Sequence, residues 1–257
     1  SPVPTEEPPV IPTPEDEISG VRSGRQAYAP ILASFSFGCL IAGSKAPNVK
    51  INICQNVFEK DPNNINSAGL SIDRIKQLAV INKNPNKDLN SSGNVFDPVP
   101  PTGGADALRL NVFYSALNQS QWVYDPAGGA YMRFEDYGRE DKIGQFKMSV
   151  DRLTRQPLYF QNVVVIFVEH TVVAPTILDL NMIGGREKAI VFRDGKVYDN
   201  LRWSMRNGDY ERKSGMLRPV RIEYPDGTPF PLAPGHTWFL VATPYSRVWQ
   251  TAAGIWN

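Results

Sequence analysis

Hydrophobic and polar positions change their spacing about two-fifths of the way along the chain. In the first part apolar residues recur at helical intervals. Gln26–Phe35 sets Tyr28, Ile31, Leu32 and Phe35 on one face, and the short apolar run Cys39–Ile41 after it predicts a strand. A second helix is marked by Ile72, Ile75, Leu78 and Ala79 on one face, with Ser71 placed to cap its N-terminus and "NKNPNKDLNSSGN" to stop it. From Leu108 onward the pattern is one of short β-branched and aromatic runs, among them "LRLNVFY", "NVVVIFV", "KAIVF" and "HTWFLVAT". Asp194-Gly195, Asp226-Gly227 and Asn207-Gly208 stand between such runs and supply the positive φ values that tight hairpins require.

These elements predict an α+β fold: a small α/β N-terminal domain over residues 19–104, then a β-rich, mostly antiparallel C-terminal domain over 105–257. The boundary falls near residues 95–106, in the Pro- and Gly-rich "DPVPPTGGADA". Residues 1–18 are different again. Six prolines and five acids, with no Lys or Arg, cannot make a helix or a central strand and read as an extended spacer.

Composition narrows the function. Residues 19–257 hold 27 basic residues against 21 acids, a net of +6 spread too thinly to suggest nucleic acid. The longest aliphatic and aromatic run, Val163–Val168, is far short of the ~20 residues a membrane helix needs. The chain opens without a basic-then-apolar leader, which fits either a cytosolic protein or a mature exported one, and the Pro/Glu spacer favours export. Any membrane attachment is therefore expected through an N-terminal anchor outside this chain.

Candidate chemistry starts with Glu169-His170, set into the apolar stretch "VVVIFVEHTVV". Adjacent strand residues point to opposite faces, so the two cannot act on one atom while the strand stays regular, and a strand leaving the core is the simpler reading. A wall-directed hydrolase or transferase would use His170, Glu169 or Asp179 as acid or base. The chain's two histidines, His170 and His236, lie 66 residues apart with no His-x-x-x-His or Cys-x-x-Cys spacing, so no metal and no cofactor is implied. "SFSFGC" (34–39) matches part of a cysteine-nucleophile motif, but Phe37 stands where that motif has histidine and no histidine precedes Cys39. Arg22 and Arg25 flank Ser23-Gly24 before the first helix and are candidates for an anion site; ion pairs that lock the helix down are the alternative. Trp122, Tyr124, Tyr131, Phe134, Trp203 and Tyr210 form a stacking platform if exposed and core if buried. Cys39 and Cys54 make a disulfide in an exported chain; two reduced, buried thiols are the alternative.

Five stretches together carry a resemblance: "ISGVRSGRQAYAPI" (18–31), "GGAYMRF" (128–134), "LYFQNVVVIFV" (158–168), "KAIVFRDGKVYDNLRW" (188–203) and "LAPGHTWFLV" (232–241). They resemble the bacterial DUF3048 family over residues 18–245. The resemblance implies an exported, membrane-tethered envelope protein of two domains with no assigned enzymatic activity. It also implies a first domain shortened at its N-terminus, since the family's further strand-forming stretch before "VRSGR" does not stand here. The expected function is non-catalytic: binding or scaffolding of an envelope protein or a cell-wall polymer through Arg22 and Arg25 or the aromatic strands.

Overall fold

The computed structural model describes residues 18–19, 21–33, 39–63, 67–83, 93–116, 118–136, 144–151, 154–175, 177–182, 187–205 and 218–257. The spacer 1–17, the Asn207-Gly208 turn and Tyr210 lie outside them.

The molecule is β-rich and mostly antiparallel. A six-stranded sheet runs in the order Arg221–Glu223, Lys196–Ser204, Glu187–Arg193, Asn162–Phe167, Thr237–Ala242, with Ala105–Asp106 also joined to Lys196–Ser204. A seven-stranded sheet runs Phe146–Met148, Ala130–Asp136, Asn118–Asp125, Arg109–Ser115, Ile255–Trp256, Gln250–Ala252, with Tyr159–Phe160 also on Ala130–Asp136. Within these sheets only the pairs Asn162–Phe167 with Thr237–Ala242 and Ile255–Trp256 with Arg109–Ser115 are parallel.

The six-stranded sheet sits between two cores, which explains why its central strand reads as an unbroken apolar run. Every residue from Asn162 to Phe167 is buried. Val163, Val165 and Phe167 face the other sheet and meet Leu110, Trp122, Tyr131 and Trp256. Val164, Ile166 and Val168 face the opposite way, into Trp203, Ile222, Phe230 and Leu232. Each such side chain contributes roughly 1.5–3 kcal/mol on leaving water. The hairpin from Glu187–Arg193 into Lys196–Ser204 turns on Asp194 (φ 53°) and Gly195 (φ 69°). Only glycine fits at 195 for a second reason, because a Cβ there would stand 2.8 Å from the Tyr124 ring.

Arg193 is fully buried yet satisfied. Its Nε donates to Asp194 Oδ2 (2.6 Å), Nη1 to the Pro231 carbonyl (2.7 Å) and Nη2 to the Asp97 carbonyl (3.1 Å). It thereby pins the Pro-rich link, whose Val95–Phe96 pairs with Pro231–Leu232, against the sheet.

The N-terminal segment is built from smaller pieces. Its helices are Tyr28–Ala33 and Ile72–Ile81, and its strands are two to four residues long. Ser71 Oγ accepts from the Arg74 amide at 3.3 Å and caps the second helix, which buries Leu78. The interior here consists largely of Ala42, Ala46, Val49, Val57 and Ala68. Ala27 and Ile31 of the first helical turn pack onto Trp203 and its neighbours, so this segment leans on the core of the six-stranded sheet.

Candidate functional site

The hairpin that carries Glu169, His170 and Asp179 is held together by its own polar groups. The central strand ends at Phe167 and a new one, His170–Ala174, pairs antiparallel with Ile177–Leu180. His170 lies opposite Leu180 and Thr171 opposite Asp179, so the imidazole and the carboxylate point to opposite faces of the hairpin. His170 Nδ1 donates to the Val168 carbonyl at 2.7 Å, which orients the ring. Glu169 is exposed, and its carbonyl accepts from the Asn181 amide. Asp179 is the structural knot: Oδ1 accepts from the amides of Ala27 (3.0 Å) and Leu180 (2.9 Å), and Oδ2 from Asn48 Nδ2 (2.8 Å). The carboxylate ties the start of the first helix to a strand 152 residues away.

The other residues singled out by sequence do not converge. Arg22 is exposed beside a shallow polar depression with Ser23, Ser44 and Glu59, while Arg25 donates to the Gly24 carbonyl at 3.3 Å. Neither makes an ion pair among the described residues, and the six-residue helix after them is too short to build an anion site on its dipole. His236 and His170 lie beyond opposite ends of the Asn162–Phe167 strand and its parallel partner, roughly 25 Å apart at the rise of a strand. No group of three or more His, Cys, Asp or Glu is placed to hold a metal among the described residues. Cys39 and Cys54 are joined as a disulfide with Cα atoms 6.0 Å apart, which removes the thiolate that a cysteine nucleophile needs.

The aromatics divide. Trp122, Tyr131 and Trp203 are buried, Trp203 Nε1 donating to the Phe167 carbonyl and the Tyr131 hydroxyl to the Ala107 carbonyl, both at 2.8 Å. Burial above all, and then the nearby Tyr124, hold the Tyr131 hydroxyl far above its ordinary value. Tyr124 and Phe134 are half-buried. Arg133 lies over Trp238 (5.1 Å) and Trp122 (5.8 Å) and hydrogen-bonds Glu135 and Ser149.

Another concavity among the described residues lies between the two sheets. A cleft of about 570 Å³ opens between Arg109–Ser115 and Thr237–Ala242, closed on one side by residues 246–249. Leu110, Val112, Val165, Leu240 and Val248 make its floor and walls. Tyr114 and Trp249 stand at its mouth, each about half exposed, at 50% and 51%. The Tyr114 hydroxyl donates to the Val241 carbonyl at 3.1 Å. Burial raises its pKa above the ordinary value. Trp249 is fixed by a pair of 3.0 Å backbone hydrogen bonds exchanged with Asn257. Arg247 brings the one formal side-chain charge among the described residues that line the cleft, and none of those residues brings a carboxylate, imidazole or thiol side chain. An apolar lining with aromatic rings at its edge is the composition of a binding surface.

Sequence reasoning passed over this cleft because its walls come from segments more than 120 residues apart. A signal was nevertheless present. Arg109 and Asn111 alternate with Leu110 and Val112, but the strand then runs Val112-Phe113-Tyr114 without a polar break, and "PYSRVW" (244–249) sets two aromatics about an arginine.

Two sheets packed about a shared core, with an apolar cleft between them, define a β-sandwich. The model of the protein of unknown function (DUF3048) C-terminal domain matches residues 110–239, and the chain belongs to this family. Among solved structures the chain is similar to the YerB protein from Bacillus subtilis, at 19% identity and a TM-score of 0.60, over 86% of this chain and 72% of that one. None of the curated proteins matches it.

Proposed function

We propose that this chain is a non-catalytic binding module of the bacterial cell envelope, working outside the cytoplasm, and that the cleft between its sheets takes an extended segment of a partner protein. The cleft carries this reading. Its apolar floor, its half-exposed Tyr114 and Trp249 and its single arginine have the composition that dominates binding energy at protein interfaces. The volume suits a few side chains of an extended peptide rather than a whole folded surface. The disulfide and the Pro/Glu spacer support an oxidising compartment and attachment at a distance from the membrane. A wall hydrolase built on His170, Glu169 and Asp179 has no comparable support, because the first and last point apart and Asp179 is spent on the Ala27 and Asn48 bonds.

Panning a random peptide library against the intact protein tests this. Enriched peptides with apolar or aromatic residues are expected, and they should lose at least tenfold in affinity for Trp249→Ala. A library that yields no enrichment, or peptides indifferent to Trp249→Ala and Tyr114→Ala, would overturn the reading.

A further inference from the structure

A strand that ends a sheet presents unpaired amides and carbonyls, and folded proteins keep such edges short or charged. At the ends of the two large sheets, Arg221–Glu223, Phe146–Met148 and Gln250–Ala252 follow that rule: each is 3 residues long, and the first two carry Arg221, Glu223 and Lys147. The remaining end strand, Thr237–Ala242, does not. It has 6 residues, reads Thr-Trp-Phe-Leu-Val-Ala without a charge or a proline, and pairs among the described residues with Asn162–Phe167 alone.

The ladder shows which groups the edge leaves open. The Asn162 amide donates to the His236 carbonyl (3.2 Å) and the Val168 amide to the Ala242 carbonyl (2.8 Å). In this parallel register the even-numbered residues turn their backbone groups inward, and Thr237, Phe239 and Val241 turn theirs outward. The Val241 carbonyl accepts from the Tyr114 hydroxyl on that outer side. The amides and carbonyls of Thr237 and Phe239 and the amide of Val241 have no partner among the described residues. The edge adjoins the cleft, since Leu240 and Ala242 line it and Tyr114 stands at its mouth, while Phe239 on the strand's other face is 37% exposed.

We infer that the partner segment binds as an added β-strand along the Thr237–Ala242 edge, its main chain hydrogen-bonded to Thr237 and Phe239. This rests on the cleft being a peptide-binding site, and it adds the class of peptide: extended, apolar at every second position, with an acid toward Arg247. Side chains alternate between the faces of a strand, so the residues flanking the one opposite Phe239 lie beside Trp238 and Leu240 on the cleft side, and the one opposite Phe239 covers its exposed ring. Arg247 makes no ion pair among the described residues, so an acidic side chain at the Ala242 end of the peptide finds a partner there. Main-chain bonds then hold the segment and alternate side chains select it. A single strand suits the place better than the edge of a second copy, because Tyr114 and residues 246–249 stand over one end of it.

The experiment uses the intact protein and one library-selected peptide, remade with a single N-methyl group at each backbone amide in turn. An alternating profile is expected: methylation of the amides that face the edge weakens binding by roughly tenfold or more, and methylation of those between leaves it within about twofold. Amide exchange followed by NMR should slow at Thr237, Phe239 and Val241 when the unmodified peptide binds. A profile without alternation, or unchanged exchange at those three amides, overturns the inference. If that peptide still loses tenfold for Trp249→Ala, strand addition alone fails and the cleft reading stands; if it is indifferent to Trp249→Ala as well, both fail. Protection of the same amides by self-association without peptide, seen as a concentration-dependent mass, would put a second copy on the edge and overturn it too.

Discussion

The hairpin that carries His170 and Asp179 and the cleft walled by Leu110, Tyr114 and Trp249 invert one another. The hairpin concentrates the residue types associated with catalysis, and each is engaged in holding the fold: Nδ1 of His170 on Val168, both oxygens of Asp179 on Ala27, Leu180 and Asn48. The cleft has almost no titratable groups among its described residues, and Phe113, Tyr114 and Trp249 at its edge stand half or more in water, where the fold gains little from them. Polar atoms that are satisfied internally stabilise, whereas apolar surface left open is available to a partner. Substitutions in the hairpin should therefore act on stability and substitutions in the cleft on binding.

The largest effect is expected on the hairpin's side of the molecule, in the segment that Asp179 ties down. Replacing Cys39 and Cys54 together by Ser reopens a 15-residue loop and should cost about 3 kcal/mol in the chain-entropy view. Hydrogen exchange should then speed up around residues 39–57 and stay slow in Asn162–Phe167, because that strand is hydrogen-bonded to a neighbour on each side within the six-stranded sheet. Faster exchange in both places would show that the two regions share one cooperative core.

Asp179→Ala comes next. It leaves the Ala27 amide and Asn48 Nδ2 without an acceptor and should cost roughly 2 kcal/mol, read as a lowered denaturant midpoint with unchanged slope. Peptide affinity at the cleft should stay within twofold of wild type.

A smaller effect belongs to the core beneath the cleft. Tyr131 keeps its proton in the folded protein far above the value it has in the unfolded chain, because burial disfavours the phenolate. Its contribution is whole below pH 10 and falls as pH rises further, since the unfolded chain then binds fewer protons than the native one. Stability should drop by about 1.4 kcal/mol per pH unit per such tyrosine. Tyr131→Phe should flatten that decline between pH 10 and 11 by one tyrosine's share, measured by urea unfolding. An unchanged slope would mean that the hydroxyl titrates in the folded state.

How far these regions were legible beforehand depended on how local their causes are. The Ser71 cap, the Ile72–Ile81 helix and the Asp194-Gly195 turn follow from neighbours in sequence, and they stand in the structure where the pattern predicts them. The unbroken run of Asn162–Phe167 announced burial on both faces, and the end of that strand before Glu169 was read from the first polar pair. The partners of Asp179 were not legible, because nothing in "TILDL" specifies an amide 152 residues earlier. The first helix, predicted over Gln26–Phe35, starts at Tyr28 instead, and Phe35 lies outside the described residues. The N-terminal segment, expected as a small α/β unit, buries mainly alanine and valine and rests part of its first helix on the neighbouring sheet, which hydrophobic period cannot foretell. The cleft depends on the spacing of two sheets, a property of packing rather than of any one strand.

The smallest expected effect on stability is also the sharpest test of the contrast. Trp249 is half exposed, so Trp249→Ala should change unfolding free energy by no more than about 0.5–1 kcal/mol. The decisive measurement is the affinity of one library-selected peptide for wild type, Asp179→Ala and Trp249→Ala, taken side by side by titration calorimetry. The account predicts equal affinity for the first two and a loss of tenfold or more for Trp249→Ala. Peptide binding that survives Trp249→Ala and disappears with Asp179→Ala would place the working surface on the hairpin and contradict it.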